Sequence, residues 1–274
     1  MSPGAQAAKL PSAEHYAGTG IAEDMRMDRR EFARCIAAAI VTRSLPRTSN
    51  IVTRMHHHPE TQPTVVAGIR IVDSTIAKQA EQFARAAYQP YLFNHAMRTF
   101  LFGSLIGKAM KLEWDEELVF LAAIMHDLGL TVQHMGPLPF ELSGAQAARA
   151  FLHGHGVSTE RANVVWDGIA LHPTMVAEFK QPEVALIAAG AAADVTGSGL
   201  DAVSADSRAA VLHYAPRLGF KHAFVHSCAD VVRRYPRVAS RSFMRDIGER
   251  YVPGFSEPNI CDAIEHAPFE ERSS

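Results

Sequence analysis

The sequence predicts an all-α protein, with a helical domain over residues 71–274 and a flexible N-terminal arm over residues 1–70. Two observations lead to this prediction. From about residue 74 onward, one segment after another places apolar residues at helical spacing, with capping residues and prolines between the segments. The same region has no alternating apolar and polar run long enough to predict a half-buried strand.

The N-terminal arm differs from the rest in composition. It is rich in Ser, Pro, Thr, Arg and Gly and shows little periodicity, which is typical of a flexible or processed segment. The stretch DRREFAR is similar to a twin-arginine export signal through Arg29 and Arg30. Arg43 interrupts the apolar run that follows, which favours a degenerate leader or a short amphipathic helix. We therefore expect a cytoplasmic protein, with export to the periplasm as the alternative.

Eight helices are predicted after the arm. STIAKQAEQFARAAYQP has a helical period and stops at Pro90, and YLFNHAMRTFLFGSLIGKAM is apolar almost all round, as in a buried central helix. Asp115 is the predicted cap of a third helix that runs to Gly129. The other predicted helices are Ser143 to about Leu152, Ser158 or Thr159 to about Leu171, one that starts at Pro182, one capped by Ser204, and one over residues 220–235.

The composition restricts the class of partner. The formal net charge is −2, so no strong positive charge indicates nucleic acid or an anionic membrane as the partner, and a small-molecule substrate is expected. Three scattered cysteines predict neither a disulfide framework nor a thiolate zinc site. No apolar run approaches the ~18 residues that a membrane-spanning helix needs. A homo-oligomer is an open possibility.

Four polar residues interrupt otherwise apolar helices: His95, His126, Asp127 and Asp194. A buried carboxylate is costly unless it is paired or binds a metal, and two imidazoles with two carboxylates suit zinc, iron or manganese. The set predicts one divalent ion with an open coordination position, as catalytic sites have. Singly, three of them have another explanation: a hydrogen-bonded core residue for His95, a cap for Asp194, or a salt bridge to Arg98 for Asp127.

His126 and Asp127 are adjacent, in the stretch LAAIMHDLGL. Neighbouring residues on a helix point about 100° apart, so both side chains reach one ion only where the helix ends. Gly129 is expected to let the chain turn there.

The order His95, His126-Asp127, Asp194 resembles the H…HD…D signature of the HD-domain superfamily of metal-dependent hydrolases. FELSGAQAARAFL, WDGIALHPT and PEVALIAAGAAADVTG are similar to its cyanamide hydratase-like branch. The resemblance implies an HD-domain helical bundle in which these four residues bind one divalent ion, zinc first, with iron or manganese as alternatives.

The same resemblance implies an enzyme that adds water to a small C–N compound. Metal-bound hydroxide would attack the carbon of a C≡N group, and cyanamide would give urea. HDLGLT has Leu130 and Thr131 where many HD phosphohydrolases supply a cation or an acid, which favours a neutral substrate. The alternative is a phosphohydrolase acting on a nucleotide or phosphoester, which predicts a basic rim. A third hypothesis, a binding protein that keeps its metal only for folding, is also open. It predicts a metal site without a pocket.

Three residues are candidates for the catalytic groups beside the metal. His172 precedes a proline at a helix end and is expected to face the site, although pairing with the helix dipole would also explain it. Glu141 lies between Phe140 and Leu142, so burial is expected to raise its pKa; otherwise it is a carboxylate near the Ser143 cap. Arg98 shares a helix face with His95 and would contact substrate or form a supporting salt bridge.

Overall fold

The computed structural model describes residues 64–268, and in this part ten α-helices and one short hairpin confirm the all-α prediction. The twin-arginine stretch lies outside the described residues. The helices are α1 (Thr75–Ala87), α2 (Pro90–Ala109), α3 (Glu116–Met125), α4 (Phe140–Gly154), α5 (Thr159–Leu171), α6 (Pro182–Val195), α7 (Ala205–Tyr214), α8 (Phe220–Arg234), α9 (Met244–Tyr251) and α10 (Ile260–Glu265). Single 3-10 turns span Leu128–Leu130, Met175–Phe179, Leu200–Ala202 and Pro236–Ala239.

Most helices start where their capping residues predict. The side chains of Asp115, Ser158 and Ser204 each accept a hydrogen bond from a backbone N–H of the first turn, which satisfies a donor that has no partner within the helix. Pro90 and Pro182 occupy the first helical positions, where the missing N–H costs nothing.

The end of α3 differs from the prediction. The helix ends at Met125, not at Gly129, because the backbone of Asp127 leaves helical geometry (φ −102°, ψ 13°). The Asp127 N–H donates to the Tyr88 hydroxyl at 3.1 Å instead of to a carbonyl one turn back. Gly129 is needed for packing instead of for a turn. A β-carbon at this position would lie 1.9 Å from the carbonyl oxygen of Phe140, so only glycine lets the two backbone segments lie this close.

The start of α4 also differs, since the helix begins at Phe140 instead of Ser143. The Ser143 N–H donates to the Pro139 carbonyl within the first turn, so Ser143 lies inside the helix and does not cap it. Two further helices, α9 and α10, follow the eight that the sequence predicts.

A two-stranded antiparallel hairpin pairs β1 (Val65–Val66) with β2 (Ile69–Arg70). Val66 and Ile69 are buried, and the Lys108 ammonium donates to the Gly68 carbonyl at 2.7 Å. The packed part of the chain therefore already includes residues 65–70, which the sequence placed in the arm. Two-residue strands are too short to leave a periodic pattern, which explains why the sequence did not indicate them.

The closest helix contact joins α2 and α6. A β-carbon at Gly103 would lie 2.4 Å from the Leu186 carbonyl oxygen, and one at Gly190 would lie 2.0 Å from the Thr99 carbonyl oxygen. The two backbones therefore touch without side chains between them, which fixes the spacing of two helices that carry candidate site residues. Although α2 is 20 residues long, no helix among the described residues is long and apolar enough to cross a membrane.

Candidate metal centre and active-site cavity

Three buried donor atoms converge where α3 ends beside α2. His95 lies on α2, His126 is the C-terminal cap of α3, and Asp127 is the next residue. The Nε2 atoms of His95 and His126 are 3.2 Å apart. Asp127 Oδ2 lies 3.5 Å from the first of these nitrogens and 3.3 Å from the second. The adjacent His126 and Asp127 thus reach one point because α3 ends at Met125, just before them.

Hydrogen bonds on the far side of each ring fix which nitrogen holds the proton. His126 Nδ1 lies 2.7 Å from the Ala123 carbonyl oxygen, and His95 Nδ1 lies 2.7 Å from Asp194 Oδ2. Because a carbonyl and a carboxylate accept hydrogen bonds, both Nδ1 atoms donate, and each neutral ring directs the lone pair of Nε2 inward. Both carboxylate oxygens of Asp127 are buried and have no hydrogen-bond partner.

The geometry fits a divalent cation. In a tetrahedral site with bonds of about 2.1 Å, the ligand atoms lie about 3.4 Å apart. The three observed separations of 3.2, 3.3 and 3.5 Å match this value. A carboxylate facing two imidazole lone pairs in a dry site is unfavourable without positive charge between them. The donor set of His95, His126 and Asp127 is therefore suited to a metal ion such as zinc, iron or manganese.

The electrostatics of the three groups are strongly coupled. Burial opposes the charge of Asp127, but the neighbouring histidines, His126 first, outweigh burial and lower its pKa to about 2. Burial likewise opposes a charged His126, but Asp127 outweighs it and raises the pKa of this imidazole. For His95 burial prevails, and its pKa is lowered despite the adjacent carboxylates. Positive charge on the imidazoles thus favours the ionised carboxylate of Asp127, and a cation bound to their neutral Nε2 atoms would supply that charge instead.

Asp194 was expected as a fourth ligand, but the structure places its carboxylate behind His95. Oδ2 accepts from His95 Nδ1, and Arg98 donates to both oxygens at 2.8 Å through Nε and Nη2. Arg217 Nη1 adds a bond to Oδ1 at 2.7 Å. Burial of Asp194 is outweighed by these partners, and its pKa lies well below the usual range. In this arrangement Asp194 orients His95 and is not among the three converging donors.

Arg98 was a candidate catalytic residue, and the structure gives it a supporting position. The side chain is fully buried and pairs with Asp194, not with Asp127. Its remaining donor, Nη1, bonds the carbonyls of Ala215 and Pro216 at 3.0 and 3.1 Å. Arg98 is not among the described residues that line the cavity, so Asp194 is its connection to the donor cluster.

A cavity of about 530 Å³ opens beside the donor cluster. Its lining includes the titratable groups of His95, Asp127 and His172, but the lining surface is mostly apolar. The apolar part includes Ala185, Ala188, Ala192 and Val195 of α6, together with Phe140 and Phe224. Among the described residues that line the cavity there is no Lys or Arg, and Glu178 is the only carboxylate besides Asp127.

The two proton-transfer candidates lie in different positions. His172 lines the cavity, and its ring lies 4.9 Å from the ring of His126. Its Nδ1 donates to the Ile169 carbonyl at 2.7 Å, which leaves Nε2 as an acceptor, and burial with the nearby His126 lowers its pKa to about 3. Glu141 lies in the first turn of α4 and is not among the described lining residues. Burial raises its pKa, as expected, and the charge of Asp127 adds to the effect.

Sequence reasoning missed three residues that support the centre. The Tyr88 hydroxyl binds the Asp127 N–H, Arg217 binds Asp194, and the ring of Phe220 packs 4.6 Å from the ring of His95. None of them is a polar residue within an apolar helical segment, which is the pattern that indicated the candidate metal ligands.

Comparison with known proteins agrees with this geometry. Residues 92–215 match the HD domain family, and this range contains all of His95, His126, Asp127 and Asp194. The match supports placement in the HD superfamily and a metal-dependent hydrolase. An uncharacterized protein of Clostridium beijerinckii is 27% identical over 82 residues, which are 28% of this chain and 52% of that relative. The chain thus spans about half the length of this curated relative. The cyanamide hydratase-like branch stays a prediction.

Proposed function

We propose that this protein is a metal-dependent enzyme that adds water to the electrophilic carbon of a small, neutral C–N compound. Cyanamide, which would give urea, is the first substrate to test. The observation that supports this proposal most is the unpartnered carboxylate of Asp127, which meets two imidazole lone pairs at the end of a cavity without lysine or arginine in its described lining.

His95, His126 and Asp127 would bind the ion in this enzyme, and Asp194 would hold the His95 ring. When bound by these residues, a divalent ion would supply Lewis acidity, which would lower the pKa of a water towards neutrality. The partners at Nδ1 of both imidazoles keep the rings in the tautomer that ligation requires. The apolar walls exclude bulk water from the reacting atoms, which strengthens electrostatic interactions there.

His172 is the residue placed to handle a proton. Its Nδ1–H is engaged by the Ile169 carbonyl, so Nε2 is free to accept a hydrogen bond from the attacking water and would orient it. The same nitrogen would take a proton from that water as its oxygen bonds to carbon, and would then pass this proton to the substrate nitrogen, on which negative charge develops. Glu141 stays outside the described lining and is ranked below His172.

We rank a neutral substrate ahead of a phosphoester because of the charged groups around the centre. Phosphoryl transfer needs cationic groups around the transferred oxygens. The two arginines near the centre, Arg98 and Arg217, are both bonded to Asp194. The phosphohydrolase is therefore the alternative outcome of the same assay, and not the leading proposal.

The test combines metal analysis with turnover. The full-length protein, purified without chelator, is expected to contain about one equivalent of divalent metal and to release urea from cyanamide. His126→Ala and Asp127→Ala should lose metal and activity but keep their helical circular dichroism. His172→Ala should keep the metal and lose roughly 10²–10⁴-fold in kcat.

His222→Ala is the matched control, because this imidazole is exposed on α8 and is not among the described residues that line the cavity. Its metal content and activity should equal those of the wild type. Full metal content in both His126→Ala and Asp127→Ala would refute the metal centre. Metal with hydrolysis of a phosphoester but no turnover of cyanamide or any nitrile would refute the reaction and favour the alternative.

A further inference from the structure

The geometry points to a nitrile with a bulky apolar group, such as benzyl, as the preferred substrate, in place of cyanamide itself. This inference rests on the proposed function and narrows its substrate class. The cavity volume, its wall chemistry and the position of its polar groups support it independently.

The volume exceeds what cyanamide needs. Cyanamide has three non-hydrogen atoms and, at the ~30 Å³ that a water molecule occupies in the liquid, needs on the order of 90 Å³. The cavity measures about 530 Å³, which lies within the ~300–1,000 Å³ typical of sites for larger organic ligands. A three-atom substrate would leave most of this space to water.

The walls are apolar and made wide by small side chains. Ala185, Ala188, Ala192 and Val195 recur at three- and four-residue intervals on α6, so they form one face of the helix towards the cavity. Each alanine leaves room that a larger apolar residue would fill. Water held against such a surface is released when an apolar group replaces it, which favours binding.

The groups suited to the reaction lie together. His95 and Asp127 are buried, the unpartnered Asp127 carboxylate lines the cavity, and the His172 ring lies 4.9 Å from that of His126. With no lysine or arginine among the described lining residues and a second carboxylate, Glu178, among them, an anionic substrate is disfavoured. A ligand that matches this distribution has one polar, reactive end and an otherwise neutral, apolar body.

The reaction balances without a further reactant. In R–C≡N + H2O → R–C(=O)NH2, the water oxygen forms the new bond to carbon and one C–N π bond breaks. The other π bond is lost as the imidic acid rearranges to the amide, and both water protons end on nitrogen. No oxidation or reduction takes place, so no redox cofactor is needed.

The experiment compares cyanamide, acetonitrile and phenylacetonitrile with the metal-loaded, full-length protein. Urea or the amide product is quantified by chromatography. We expect kcat/KM for phenylacetonitrile to exceed the values for the two smaller compounds at least tenfold. Binding of the product phenylacetamide, measured by calorimetry, provides a readout that does not depend on turnover.

Ala188→Phe places a ring in the cavity wall and should lower kcat/KM for phenylacetonitrile, and the affinity for phenylacetamide, at least tenfold. Turnover of the two small compounds should change less than threefold. Ala192→Leu is a milder second variant if the first does not fold. The matched control is Ala86→Phe, at an exposed position of α1, which should leave all values unchanged.

The outcomes separate the two proposals. Efficient hydration of cyanamide with slower or absent turnover of phenylacetonitrile would overturn the apolar-substrate inference and leave the proposed function in place. Equal losses for small and large substrates in the wall variants would also overturn it. No hydration of any C≡N compound by the metal-loaded protein would refute the proposed function and the inference with it.

Discussion

Replacing Arg98 with methionine should destabilise the fold strongly, although this residue does not line the cavity. The fully buried guanidinium forms two bonds of 2.8 Å with Asp194. Removing one partner of a buried ion pair costs roughly 3–5 kcal/mol, because the other charge stays buried. Asp194 keeps its bonds to Arg217 and His95, so we expect a loss at the lower end of this range, about 3 kcal/mol in the free energy of unfolding. For a folded part of this size, that corresponds to a decrease in Tm of roughly 6–12 °C.

The assay is urea unfolding followed by far-ultraviolet circular dichroism, with a chelator present so that metal affinity does not contribute. The control is Arg245→Met, since Arg245 forms an exposed pair with Glu249 one turn along α9. Solvent screens such surface pairs, so they contribute little to the free energy of unfolding. The control variant should therefore unfold at nearly the same urea concentration as the wild type.

A double-mutant cycle tests whether the pair itself is responsible. Asp194→Leu alone should also destabilise, because it leaves the Arg98 guanidinium buried without its carboxylate. The double variant should cost clearly less than the two single variants together, with an interaction energy of about 2 kcal/mol. Additive losses, or an Arg98→Met variant as stable as Arg245→Met, would refute the reasoning.

Two further predictions concern packing and pH. Gly190→Ala should destabilise by roughly 1–3 kcal/mol or more, because its new β-carbon would lie 2.0 Å from the Thr99 carbonyl oxygen. Gly154→Ala, with nothing within 4 Å, is the control, and equal Tm values for the two would contradict the close contact. Burial opposes the charge of Asp115, but Arg161 outweighs it and lowers the carboxyl pKa below 3.8. The stabilisation by this ion pair is fully present above pH 3.8, the pKa of an ordinary aspartate. It is lost as the pH falls through the lowered pKa of Asp115 in the folded protein. The Tm advantage of the wild type over Asp115→Asn should therefore shrink between pH 7 and pH 3, and a constant advantage would count against the charge effect.

The helices were predictable from the sequence because periodicity and caps are local signals. Asp115, Ser158 and Ser204 cap helices as expected, and the prolines at 90 and 182 mark first turns. The predicted boundary of α3 was wrong because a contact with a residue distant in the sequence determines where this helix ends. The end of α3 depends on a bond to Tyr88, which lies 39 residues away along the chain, and no local pattern reveals such a partner.

The candidate site was predictable to the extent that polar residues interrupt apolar helices. His95, His126 and Asp127 converge, and this follows from their being exceptions in buried segments. The place of Asp194 was not predictable, because its contact with His95 depends on how α2 and α6 cross. Arg217 lies in a loop before α8, where an arginine is unremarkable until the fold brings it to Asp194.

The glycine contact between α2 and α6 affects which positions of this protein can change during evolution. Because backbone atoms at Gly103 and Gly190 set the helix spacing, the size of side chains elsewhere on α6 does not determine it. Residues such as Ala188 can therefore be exchanged over generations while the candidate metal-binding atoms of His95, His126 and Asp127 keep their places. Selection on substrate range and selection on chemistry would then act on separate positions, with the two glycines as the ones least free to vary.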